Sequence, residues 1–195
     1  MIARAPGADG VLAGLAGRLD DGRRAALQAL LIVRAAAWAE AVGAAFAAAP
    51  EPEVAAVAAL LPAGVTAVAA ADLPAAVAAV GRGPVLIAGT ACPRLGSAHA
   101  AAALDDLASG CDLTFGSTLE GDWYLAGLRE PRPDLLDLAA LRSGGIGAVL
   151  EQARAHDASV GLLRHERVLT TPADADALIA DPLVDAELRA ALSVA

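Results

Sequence analysis

The 195-residue sequence predicts an α/β fold, and three observations carry that expectation. Short apolar runs bounded by turn residues alternate with longer Ala- and Leu-rich segments of helical period. Hydrophobic residues reach 57% against 19% charged, which excludes disorder as the overall state. The length suits one domain with a substantial core. Aromatic residues make up only 3%, so that core must be built from Ala, Leu and Val. Alternating strands and helices imply a single-domain, three-layer α/β/α sandwich over residues 1–195, around a mainly parallel mixed sheet.

The elements follow in order. A first helix opens at Asp20 or Asp21, either of which can cap it. Leu27, Leu31, Trp38, Val42 and Phe46 then lay one apolar stripe along it until Pro50 and Pro52 stop it. A short helix is expected over 53–61, a strand over 65–70, and a helix over 73–80 closed by Gly81-Arg82-Gly83-Pro84. Val85-Leu86-Ile87-Ala88-Gly89-Thr90 is the clearest buried strand. Ser97 can cap the next helix, which runs to Ala108 and ends at Gly110. Strands are expected over 112–116 and 123–128. Gly144, Gly145 and Gly147 lead into a helix through Val149, Ala153 and His156. Short strands over 159–163 and 166–169 follow, and Thr171-Pro172 opens a terminal helix, since proline is tolerated in the first helical turn.

Composition excludes several functions. The net charge is −9, and all 14 cationic side chains are Arg; there is no Lys and no Asn. Schiff-base and phosphate-loop lysine chemistry is therefore absent, and an acidic chain without a basic cluster argues against a nucleic-acid partner. Two cysteines, Cys92 and Cys111, make no disulfide framework, and a reduced cytoplasmic setting fits. The longest uncharged stretch, 54–71, has nearly the length of a membrane span but is interrupted by Pro62 and Gly64, so no membrane span is expected. Ala-rich helix faces make a homodimer plausible without naming its interface.

Ligands of such sheets gather at the carboxyl ends of the strands, which directs attention to residues 89–95 and 116–122. In the first loop Gly89 allows close approach of a ligand to the backbone, Thr90 offers a hydrogen bond, and Cys92 is a candidate nucleophile; a tight turn around a small buried thiol is the alternative. His99, His156 and His165 stand at no local spacing that would activate that thiol. In the second loop Glu120 and Asp122 are candidates for cation binding or base catalysis, or are solvated turn residues. Arg129, Arg132 and Arg164-His165-Glu166-Arg167 offer contacts to an anion. Gly144-Gly145-Ile146-Gly147 lacks the preceding strand and spacing of a dinucleotide fingerprint, and no HExxH, CxxC or GxSxG motif exists. Residue chemistry alone reaches two candidate ligand loops and no reaction.

Order and spacing add a resemblance. Val85 through Leu95 resembles the strand and loop "LLIGTDCPxL" of a bacterial family of glycosyltransferases related to nucleotide-diphospho-sugar transferases of GT-A fold. Gly116 through Leu128 is similar to that family's "GPxxDGGYYLIGL", Ala3-Arg4-Ala5-Pro6 to its "AKAP" loop, and Val168 through Asp174 to its "DVDTPxD". Four blocks in the family's order span nearly the whole chain. The resemblance implies a GT-A-like, Rossmann-like domain that takes a nucleotide or nucleotide sugar, with Arg4, Gly89, Thr90, Glu120, Asp122 and Tyr124 as candidate substrate-binding residues.

The departures fall on the chemistry that the family implies. Its metal-binding Asp in "GTDCP" is Ala91, and its "KTRL" phosphate loop is matched by Leu12, Ala13, Gly14 and Leu15. "DGG" becomes Glu120-Gly121-Asp122, and the two aspartates of "DVDTP" become Val168 and Thr170. A nucleotide-diphosphate leaving group accumulates negative charge that a cation or arginines must stabilise, and methyl groups cannot. The expectation is a transferase-like chain with a degenerate metal and diphosphate site, no metal and no cofactor, acting as a binding or scaffold relative. The alternative is a working glycosyltransferase or nucleotidyltransferase with a rearranged site at Arg4, Glu120 and Asp122 that uses Mg²⁺ or Mn²⁺. No catalytic residue is assigned. Only Met1 and Ile2 precede the "AKAP" block, so the first strand is either a stub or begins upstream.

Overall fold

The computed structural model describes residues 1–79, 82–135 and 138–193. Val80 and Gly81 of the expected third helix and its stop lie outside the described residues. The chain divides into two compact units. One comprises Met1–Ala70, Thr90–Arg94 and Arg167–Ala195; the other comprises Ala71–Gly89 and Leu95–Glu166.

In the first unit, Asp20 caps helix α1 (Asp21–Val42) by accepting from the Arg23 N–H at 2.8 Å. Its inner face buries Leu27, Gln28, Leu31, Ile32, Ala35 and Ala36. The apolar stripe does not continue to Phe46: the helix stops at Val42, and residues 45–49 form strand β1 (Ala45–Ala49). Alanine favours helix by local propensity. Here four of the five strand residues are buried, and a parallel strand covered on both faces accepts small apolar side chains in an unbroken run. Helix α2 (Val54–Ala58) follows a single 3-10 turn, and strand β2 (Val65–Ala69) pairs parallel with β1. The N-terminal stub pairs with β1 through one parallel bridge, Ile2 to Ala48, supported by Ala3 N–H to Ala48 O at 2.9 Å and Ala48 N–H to Met1 O at 2.8 Å.

α1 is long and apolar enough to cross a membrane by length and composition, which the 54–71 stretch suggested less well. Its inner residues belong to two apolar clusters: Ile32 and Ala36 pack with β1 and β2 residues, and Leu27 and Leu31 pack with Leu15, Leu169, Leu178 and Leu188. That packing is the signature of a core helix.

The second unit holds strand β3 (Val85–Ala88), helix α4 (Ser97–Ala108), strands β4 (Leu113–Ser117) and β5 (Trp123–Leu128), helix α5 (Leu138–Ala155) and strand β6 (Val160–Leu162), preceded by helix α3 (Leu73–Ala79). The sheet order is β3-β5-β4-β6. β5 runs antiparallel to both β3 and β4, whereas β4 and β6 are parallel. The sheet is mixed, as expected from sequence, but it is not mainly parallel: a turn of five residues between β4 and β5 is too short for a crossover and returns the chain as a hairpin. Gly144, Gly145 and Gly147 lie inside α5 and do not precede it. The cap of α4 is Gly96, not Ser97. The 166–169 segment contributes a single bridge, Thr118 to Glu166.

Two further helices close the first unit. α6 (Pro172–Ala180) starts at its Thr171 cap as its sequence implies, and α7 (Ala186–Leu192), capped by Asp185, follows it. The loop of residues 10–15 lies so close to the α6 cap that a Cβ on Gly14 would stand 2.0 Å from the Thr170 carbonyl oxygen. Gly14→Ala should therefore lower stability by about 1–3 kcal/mol in urea unfolding. Gly17→Ala, where a Cβ meets no atom within 4 Å, should stay within about 0.5 kcal/mol.

Candidate functional site

Arg4 follows the stub that pairs with β1. Its guanidinium is engaged by Glu53: Nε donates to Oε1 at 2.9 Å and to Oε2 at 3.0 Å, and Nη2 stands 2.8 Å from Oε1. The Ala5 N–H donates to Glu53 Oε2 at 2.6 Å, and buried Gln28 donates to Arg4 O at 2.8 Å. The hydrogen bond from Arg4 holds the Glu53 carboxyl below its ordinary pKa. Arg4 keeps a partly exposed head, but its charge is already balanced by this carboxylate.

The residues that stand where the resemblance places metal ligands come together in the same unit. The Leu169 N–H donates to Ala91 O at 2.8 Å, so the 90–94 segment lies along 167–171. Thr90 is half-buried there, and Val168 and Leu169 are buried. The carboxylate in this neighbourhood is Asp174, at the third position of α6. Its Oδ2 accepts from the Thr170 hydroxyl at 2.9 Å, the Thr171 hydroxyl at 2.8 Å, and the N–H groups of Thr170 at 3.2 Å and Thr171 at 2.8 Å. Its Oδ1 accepts from Arg167 Nη1 at 2.8 Å. Burial alone would raise the Asp174 pKa; the hydrogen bonds from Thr171, Arg167 and Thr170 overcome that and bring it from 3.8 to about 2. The carboxylate is saturated by its own helix cap.

Tested against a divalent cation, this set does not fit. Such ions take about six oxygen ligands, largely carboxylate, and Ala91, Val168 and Thr170 supply methyl groups and a hydroxyl that is itself donating to Asp174. Among the described residues, no three His, Cys, Asp or Glu side chains are grouped to hold a metal ion.

Gly89, Glu120, Asp122 and Tyr124 belong to the second unit. The Gly89 N–H donates to Tyr124 O at 3.2 Å, extending the β3–β5 pairing by one bond. Glu120 and Asp122 are exposed on the hairpin turn between β4 and β5, where Gly121 takes a φ of 90°. Asp122 is occupied with the turn: its O and N–H bond the Thr118 N–H and hydroxyl at 2.8 and 3.1 Å, and its Oδ1 accepts from Trp123 N–H at 2.8 Å. Tyr124 points inward. Its ring lies over Gly116, where a Cβ would stand 2.5 Å from the ring, and its hydroxyl donates to Arg164 O at 2.9 Å.

Spacing gave no sign of a polar cluster behind Tyr124. His99 Nε2 lies 3.0 Å from Glu166 Oε1, both residues being buried. Arg164 Nε bonds the same oxygen at 2.8 Å. Ser117 Oγ and His165 Nδ1 are 2.8 Å apart. These residues are scattered from 99 to 166, and the parallel pairing of β4 with β6 is what brings the 164–166 segment to the end of β4.

This architecture is similar to a crystal structure from Desulfovibrio desulfuricans G20 described as a "putative nucleotide-diphospho-sugar transferase", with a TM-score of 0.78, 19% identity, and 98% of this chain and 91% of that one covered. The chain is thus a mixed α/β protein similar in fold to that "putative nucleotide-diphospho-sugar transferase". The model of the bacterial family DUF2064, "Uncharacterized protein conserved in bacteria", matches residues 35–141, more than half of the chain, and the chain belongs to that family. No curated protein matches it.

Because the folded-state pKa of Asp174 lies below its unfolded value of 3.8, the unfolded chain binds the extra proton as pH falls from about 4 to about 2. The stabilisation is complete above pH 4 and disappears toward pH 2. Asp174→Asn should cost about 2 kcal/mol at pH 7 in urea unfolding. That deficit should shrink to near zero at pH 2.

Proposed function

We propose that this chain is a glycosyltransferase-like protein of GT-A type, a single three-layer α/β/α domain over residues 1–195, whose metal and diphosphate site is degenerate. It acts as a binding or scaffold relative that takes a nucleotide or nucleotide sugar without a divalent cation, in the cytoplasm. The observation that carries this reading is the Ala91–Leu169 contact. It sets Ala91 beside Val168 and Thr170, the positions where the resemblance expects acidic ligands, and the neighbouring Asp174 is already saturated by five donors. A diphosphate brought there would meet buried hydrocarbon and a carboxylate, and an uncompensated anion in such surroundings is costly.

The alternative, a working transferase rebuilt on Arg4, Glu120 and Asp122, has less support. Arg4 is paired with Glu53, and Asp122 is engaged in its own turn. Calorimetric titration with UDP-, GDP- and CTP-type ligands should therefore give the same weak affinity with and without Mn²⁺. Micromolar binding that requires Mn²⁺ and is abolished by Glu120→Ala with Asp122→Ala would establish the alternative instead.

A further inference from the structure

Helix α1 is apolar on more than the side it buries. It is long and apolar enough to cross a membrane, yet only 39% of the 18-residue stretch that meets this test is buried. A surface helix ordinarily turns charged and polar side chains to water opposite its apolar face. In α1 the residues Leu27, Leu31, Ile32, Ala35 and Ala36 face the core. At about 100° per residue, the opposite side carries Arg23, Ala26, Leu30, Val33, Ala37 and Glu40. Of these, Ala26, Val33, Ala37 and Glu40 are exposed, Val33 to 44%, and Arg23 and Leu30 are half-buried.

Those six positions alternate in steps of three and four, the spacing by which two helices interlock. The inner four hold no charge. The charges stand only at the ends and are opposite in sign. Arg23 donates from Nη2 to Ser193 O at 2.9 Å, a carbonyl that leaves its charge unbalanced. Glu40 lies over Gly64, leaving no room for a Cβ there. Among the described residues neither side chain has an ion-pair partner. Arg34, at the margin of this face, is tied to Asp185 at 2.5 Å.

We propose that this outer face of α1 is the contact surface of a homodimer, in which a second copy of the chain lays its own α1 antiparallel across it. A two-fold axis passing between Leu31 and Ile32 brings Arg23 of each copy opposite Glu40 of the other, Ala26 opposite Ala37, and Leu30 opposite Val33. The pattern is self-complementary: apolar middle meets apolar middle, and an ion pair closes each end. Ala26 and Ala37 let the two backbones approach, and Leu30 and Val33 fill the space between them. A parallel pair would set Arg23 on Arg23 and Glu40 on Glu40. A lipid surface suits the face less well, because helices that lie on membranes combine an apolar face with many Lys and Arg, and this chain has a net charge of −9. The face is about 25 Å long and one helix wide, short of the about 800 Å² per partner of a standard interface, so the dimer is a weak one with a micromolar dissociation constant.

Sedimentation velocity on the full chain, from low to high micromolar concentration, tests this. The wild type should pass from monomer to dimer across that range. Val33→Glu, at an exposed position, should stay monomeric with its helical circular dichroism intact. Arg23→Glu and Glu40→Arg should each weaken association about tenfold, since each sets like charges together at both ends of the pair. The double variant should return to wild-type affinity. Both replacements favour the helix, an acid near its first turn and a base near its last, so weaker association does not report loss of fold. A wild type that stays monomeric throughout would overturn the inference, as would a dimer that Val33→Glu leaves intact or single charge reversals that the double variant does not repair. Flotation of the wild type with phosphatidylcholine–phosphatidylglycerol vesicles, abolished by Val33→Glu, would overturn it in favour of a membrane. The wild-type concentration series decides the matter even if a variant fails to fold.

Discussion

A buried anion must carry its neutralising partners with it into the interior, and in the first unit that requirement falls on Asp174. Its two oxygens are held by Arg167, by two hydroxyls and by two backbone N–H groups from Thr170 and Thr171. Satisfying them fixes the path of residues 167–171. That path lets the Leu169 N–H reach Ala91 O, and leaves the Thr170 carbonyl so close to the loop of residues 10–15 that only glycine serves at position 14. Loop, helix cap and the 90–94 segment thus share one arrangement, with the Leu15, Leu19, Leu27, Leu31 and Leu169 cluster packed beneath.

The same arrangement bears on function. The donors around Asp174 are of the kind that would hold a phosphate: N–H groups at a helix N-terminus, hydroxyls and a guanidinium. In this chain they are occupied by a carboxylate of the protein itself. Arg4 repeats the pattern, paired with Glu53 beside the Ala5 N–H. Internal acidic groups thus occupy these donors, and this, together with the apolar residues at 91 and 168, supports the proposed binding or scaffold role.

The second unit obeys a similar constraint. Glu166 is buried between His99 and Arg164, Tyr124 places its hydroxyl on Arg164 O, and Gly116 clears space for the Tyr124 ring. The buried carboxylate is thus held by an imidazole and a guanidinium from distant parts of the chain.

Local chemistry made several elements readable in the sequence. Asp20 and Thr171 cap the helices they precede, Val85-Leu86-Ile87-Ala88 is a strand, and the glycine-containing turn at 118–122 returns the chain to β5. These signals act over a few residues: a side-chain oxygen reaches an N–H three positions on, and an apolar run finds cover on both faces. The block pattern likewise carried family membership and the absence of acidic groups at 91, 168 and 170. What only the tertiary structure decided is the state of residues whose partners lie far along the chain. Ala45–Ala49 became a strand because Met1–Ala3 and β2 flank it, against the helical preference of alanine. Arg4 was neutralised by a carboxylate 49 residues away, and His99 met Glu166 across 67. Propensity and capping are properties of neighbours in sequence, whereas burial and charge pairing depend on which distant segments the packed core brings together, and no short stretch of sequence contains that information.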